Sequence, residues 1–116
     1  MDKEQMISRL GVLEMKIQDS VKFFKKCLST NPGRAGEIKI FLRVLNGEKD
    51  AVKHAMKALK ENCDFMNKLS RLLFACNKRR LELPDERDYY SGMTKGFAMA
   101  LSMMHFSPTV EENIPF

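Results

Sequence analysis

Tryptophan is absent from this sequence, and glycine (six), proline (four) and cysteine (three) are scarce. So few glycines and prolines leave few places where a helix must stop, and with abundant Lys, Leu, Met and Ala they favour helix. Cys27, Cys63 and Cys76 are odd in number and widely spaced, so neither a complete disulfide framework nor a zinc motif fits. A reducing compartment, the cytoplasm, is expected, with no bound metal. No stretch approaches the ~20 uncharged apolar residues that cross a bilayer, and Met1 to Arg9 alternates charge with apolar residues instead of forming a signal-peptide core. No membrane contact is expected. Alternating strand patterns, low-complexity tracts and internal repeats are also missing.

What is present is one domain's worth of chain: 116 residues, 44% hydrophobic and 30% charged, a balance that fits neither a disordered tail nor a fibre. Met6, Leu10, Leu13, Ile17, Val21, Phe24 and Leu28 recur at steps of three and four, which only a helix places on one face. The spacing predicts a helix over 3–29, ended by Ser29, Thr30, Asn31, Pro32 and Gly33. A second series begins with Ile38, Phe41 and Leu45 and resumes at Val52, Met56, Leu59, Cys63, Met66, Leu69 or Ser70, and Leu73. Asn46 and Gly47 lie between the two parts, so a break or kink is expected there, giving helices over 35–46 and 50–81. Pro84 precedes Asp85, Glu86 and Asp88, acidic residues suited to a helix start, and the last helix is expected over 85–105. The fold class is all-α: a compact bundle of three to four helices in a single domain, 1–106, with an extended or flexible tail at 107–116.

The last helix carries Gly92, Gly96 and Ala100 at successive i+4 positions, an edge along which another backbone can approach closely. Glycine inside a helix costs about 1 kcal/mol relative to alanine, so a contact should compensate. A tight crossing inside the monomer and a contact between subunits both meet that need. Met93, Met99, Met103 and Met104, beside Phe97 and Phe106, make this helix apolar on more than one side, as in a helix central in a bundle or buried between chains. With only two or three other helices to surround it, the second is favoured. A homo-oligomer is therefore expected, with Gly92, Gly96, Ala100, Met93, Phe97 and Met104 as its contact.

The formal charge is +5, but it is unevenly spread: residues 16–80 carry a net +10, residues 1–15 a net −1 and residues 81–116 a net −4. On a continuous helix Lys49, Lys53, Lys57, Lys60, Lys68, Arg71 and Lys78 would fall within about a third of the circumference. Arg79 and Arg80 extend the stripe, and Arg34 stands beside the Pro32-Gly33 loop where it could assist an anion at a helix start. A solvated lysine-rich face is the plain reading. The functional ones are an acidic protein partner or the phosphates of a nucleic acid or nucleotide. The stripe has no Tyr or Trp to stack on bases and no recognised RNA-binding or zinc-finger signature.

Catalysis finds little support. His54 and His105 are the only histidines, and neither shares a nucleophile-base spacing with a cysteine or carboxylate. His54 lies off the apolar stripe and Cys63 lies on it, so the first reads as solvated and the second as a core residue. No catalytic residue, cofactor site or metal site is assigned. The short helical chain, with Tyr89 and Tyr90 followed by small residues, resembles the general style of accessory proteins of phages and mobile elements. That resemblance implies binding and blocking a macromolecule or sequestering a small anion. The expectation is a non-enzymatic, self-associating interaction protein with an acidic macromolecular partner; the alternative is a nucleic-acid or nucleotide binder on the same basic face.

Overall fold

A computed structural model describes residues 2–61 and 64–105, and among them it holds four α-helices and no strand. The expected tail at 107–116 and the core assignment of Cys63 lie outside the described residues, as do the side chains of Met104 and His105.

Helix α1 spans Lys3–Thr30. Its start is closed by a reciprocal cap: the Gln5 amide donates to Asp2 Oδ1 at 2.8 Å and the Asp2 amide donates to Gln5 Oε1 at 3.2 Å. Its end falls where Pro32 withdraws a donor, after the Asn31 amide has bonded the Cys27 carbonyl at 2.8 Å. A 3-10 turn at Pro32–Arg34 leads into α2, Ala35–Lys60, which returns antiparallel to α1. Phe24 stacks on Phe41 at one end of this hairpin (5.2 Å between ring centroids), and Lys49 Nζ donates to Gln18 Oε1 in the middle.

The expected interruption at Asn46 and Gly47 is absent, because α2 runs unbroken through both. The chain instead divides between Lys60 and Phe65, and α3 occupies Phe65–Glu82. Asp64 takes the N-cap position of α3, and its Oδ2 accepts from the side-chain Nδ2 of Asn67 at 2.6 Å. This division solves the problem that a single rod from 35 to 82 would pose: α3 is freed to pack back on the bundle and cover its own apolar side. A second 3-10 turn, Pro84–Glu86, precedes α4, Arg87–His105, so the expected four-helix count and the last helix both stand.

Helix α4 is the centre of the arrangement, touched by all three other helices and most extensively by α2 and α3. Leu10, Ile17 and Val21 of α1, Val52 and Leu59 of α2, Leu69 and Cys76 of α3, and Met93, Phe97 and Ala100 of α4 form one buried cluster. Leu69, not Ser70, takes the inward position of α3. No helix of the described residues is long and apolar enough to cross a membrane.

Candidate functional site

The small residues of α4 meet a matching set on α2. A Cβ on Gly92 would strike the Val44 carbonyl, and one on Gly47 would strike the Tyr89 carbonyl. At Gly96 it would meet Ala51 Cβ at 2.7 Å and the Glu48 carbonyl oxygen at 2.8 Å. Residue numbers rise together along the two helices, so α2 and α4 cross in parallel sense with their backbones in contact. This is why Gly47 does not break α2: its conformational cost is offset by a packing contact that any side chain would abolish.

The homo-oligomer contact expected at Gly92, Gly96, Ala100, Met93 and Phe97 is corrected by this geometry. Gly92 and Gly96 are consumed by the crossing with α2; Met93, Phe97 and Ala100 are buried within the same chain, where a second copy cannot reach them. Met104, the sixth expected contact, has no described side chain. The apolar girth of α4 is likewise explained without a second chain, because three helices of its own chain surround it. Small residues four apart on α2 (Gly47, Ala51, Ala55) repeat the pattern of α4, and that pairing was the available signal for an intrachain crossing.

Around the crossing, polar side chains tie the helices. Glu48 is buried, 5% exposed at its side chain, and accepts from Lys95 Nζ at 3.0 Å, while the Lys95 side chain is 64% exposed. Arg43 donates from Nη2 to Asp88 Oδ2 at 3.1 Å. The Tyr89 hydroxyl donates to Asp50 Oδ2 at 2.6 Å; burial first, and the Asp50 carboxylate second, push the phenol well above its ordinary range. Burial also raises the Cys76 thiol, against a smaller opposing pull from Arg79, and makes it a core residue rather than a nucleophile. His54 is exposed, as its helical phase predicted.

The basic stripe is redistributed by the break between α2 and α3. Lys57 Nζ and Lys68 Nζ approach the same carboxylate, Glu61, at 4.0 and 3.6 Å, so the corner gathers cations from both helices. Exposed Lys53 and Lys60 lie on the α2 side of this corner and exposed Arg71 on the α3 side. Lys53, Lys57 and Lys60, with Met56 and Glu14, line a shallow surface depression of about 370 Å³. The other expected anion contacts do not join them. Arg34 stands at the opposite end of α2, about 39 Å away at 1.5 Å per residue, and is paired with Glu37 at 3.0 Å. Arg79 donates to the Tyr90 hydroxyl at 3.2 Å with its guanidinium 5.7 Å from that ring centre, and Arg80 is half-buried. Arg79 thus serves the packing of α3 on α4. Lys78 is exposed but pairs with Glu82 at 3.8 Å and lies about 15 Å along α3 from Lys68.

Two surfaces escaped the reading of the sequence. Phe23 and Phe41 remain exposed beside Phe24, Cys27 and Ile38, forming an apolar cleft of about 250 Å³ at the tip of the α1–α2 hairpin. Met66, Phe74 and Leu81 lie outward on α3. The signal for the second is a pair of separate apolar phases within 65–82, hidden by the expected single helix over 50–81. No group of three or more potential metal-ligating side chains occurs among the described residues. Compared with known proteins, the chain matches no family model, no curated protein and no solved structure.

Proposed function

We propose that this chain is a non-enzymatic interaction protein whose cationic corner binds an acidic macromolecular partner. The observation that carries the reading is the convergence of Lys57 and Lys68 on Glu61. It concentrates Lys53, Lys57, Lys60, Lys68 and Arg71 at one exposed bend, where a single carboxylate is shared between two of the lysines. A partner's carboxylates would take the place of Glu61 and find the remaining cations already assembled.

The test uses polyglutamate and an oligodeoxythymidine strand as probes. Polyglutamate should bind, the more weakly as salt rises through about 50–200 mM. Replacing Lys53, Lys57 and Lys60 by glutamate should lower its affinity at least about tenfold. Retained salt-sensitive binding by that variant would remove the corner. The same face used for phosphates is the competing reading, which stronger binding of the oligonucleotide at matched salt would establish. No aromatic side chain lines the depression formed by Lys53, Lys57 and Lys60, which favours carboxylates over bases.

A further inference from the structure

Helix α3 has three sides. Leu69 and Cys76 face the core; Lys68, Arg71 and Lys78 occupy a basic side. Between them, away from the core, Met66, Phe74 and Leu81 are 37%, 72% and 72% exposed, with half-buried Leu73 adjoining. At 100° per residue Met66, Ser70, Phe74, Asn77 and Leu81 fall within an arc of about 80°. One exposed apolar side chain is ordinary, but three on one arc, recurring at eight and then seven residues, form a seam that fits another helix. Arg71 and Lys78 border the seam about 40–60° beyond Phe74.

We propose that this face docks an acidic amphipathic helix of a partner protein. Its apolar stripe would lie over Met66, Phe74 and Leu81, with carboxylates along one edge against Arg71 and Lys78. The proposal rests on the acidic-partner reading and gives that partner a shape. The eighteen residues of α3 span about 27 Å, room for a partner helix of similar length. Lys78 already pairs with Glu82 at 3.8 Å, so a carboxylate is the group this edge accepts.

Charge also disfavours an antiparallel second copy of the chain as the occupant. Two α3 helices packed antiparallel would set Met66 opposite Leu81 and Leu73 opposite Phe74, apolar against apolar. The same two-fold would bring Arg71 of one within about 3 Å, along the axis, of the level of Lys78 of the other. A parallel pair would carry the two basic edges to opposite sides of the seam, where neither Arg71 nor Lys78 meets a carboxylate. Carboxylates at those positions turn the repulsion into attraction.

The probe is a synthetic helical peptide with leucines on one stripe and glutamates along one edge, compared with its scrambled sequence by fluorescence anisotropy. The helical peptide should bind at least about tenfold more tightly than the scrambled one. A Phe74→Ser/Leu81→Ser variant, both positions exposed, should keep its thermal melt and lose about tenfold in affinity, as should Arg71→Glu/Lys78→Glu. Affinity within about twofold of the original in the Phe74→Ser/Leu81→Ser variant would overturn the docking face. If the lysine triple variant alone lost polyglutamate in that case, the corner reading would survive. Conversely, helical-peptide binding that requires Phe74 while polyglutamate fails would keep the face and sink the corner. Equal binding of the scrambled peptide, a dimer abolished by Phe74→Ser/Leu81→Ser, or preference for phosphatidylserine vesicles over the peptide would each overturn the proposal.

Discussion

Glu48 and Lys95 form an ion pair whose members live in different solvents: the carboxylate is sealed in the crossing, and the ammonium reaches it from the surface. Losing the cation should therefore cost more than losing both charges. Lys95→Met, which strands a buried carboxylate, should destabilise the fold by about 2 kcal/mol, a value reduced from that of fully buried pairs because Lys95 is largely solvated. The Glu48→Gln/Lys95→Met double variant should lose less, and urea titrations of both distinguish the order. Tyr89 makes a second prediction at this scale. Its folded-state pKa is raised above the ordinary 10, so its contribution is fully present below pH 10 and is lost as pH rises further. Cys76, raised from 9, acts in the same direction from a lower pH. Tyr89→Phe should cost about 1 kcal/mol at neutral pH through the lost hydrogen bond to Asp50 and should flatten the decline of stability above pH 10. An unchanged alkaline slope in that variant would contradict the coupling.

Among the elements, the glycines of α1, α2 and α4 sort by what their missing side chain would meet. Gly11 in α1 has open space beside it, so Gly11→Ala should stabilise by about 0.5–1 kcal/mol. Gly47→Ala and Gly92→Ala drive a methyl into a carbonyl of the facing helix and should each destabilise by about 3 kcal/mol. Thermal melts with these opposite signs would mark the crossing as a backbone contact. The same contrast explains what could be read in advance. The apolar periodicity around Leu10, Ile17, Val21 and Phe97 located α1 and α4 within a residue or two, since repeating side-chain burial is written locally. The fate of Asn46 and Gly47 was not, because a glycine that looks like a breaker within its own segment is retained for a partner strand of backbone some forty-five residues later. The division at Lys60 to Phe65 depends on the same distant fact: α4 needs α3 beside it. The basic residues were visible one by one, but their gathering was not, since it follows from the bend that joins Lys57 and Lys68 through Glu61.

At the scale of the whole molecule, the cationic corner gathers like charges at one exposed bend. Replacing Lys53, Lys57 and Lys60 by glutamate reverses three charges and takes the formal charge from +5 to −1. The variant loses the solvated Lys57–Glu61 pair, worth roughly a few tenths of a kcal/mol, and adds three carboxylates beside Glu14 and Glu61 towards the C-terminal end of α2, where negative charge opposes the helix dipole. Its melting temperature at low salt should therefore fall by only a few degrees, while affinity for an acidic probe collapses. A marked fall in melting temperature would show these lysines to be structural instead. The parallel contact of α2 with α4 has a kinetic consequence. Each flanking hairpin, α1 with α2 and α3 with α4, closes over a few linking residues, whereas the glycine crossing must wait for the two hairpins to dock. It is therefore expected to form after the rate-limiting step. Gly47→Ala and Gly92→Ala should shorten the lifetime of the folded state in unfolding jumps while leaving the refolding rate nearly unaltered. The chain would then assemble as two spring-loaded halves whose latch is the last part to close and the first to let go.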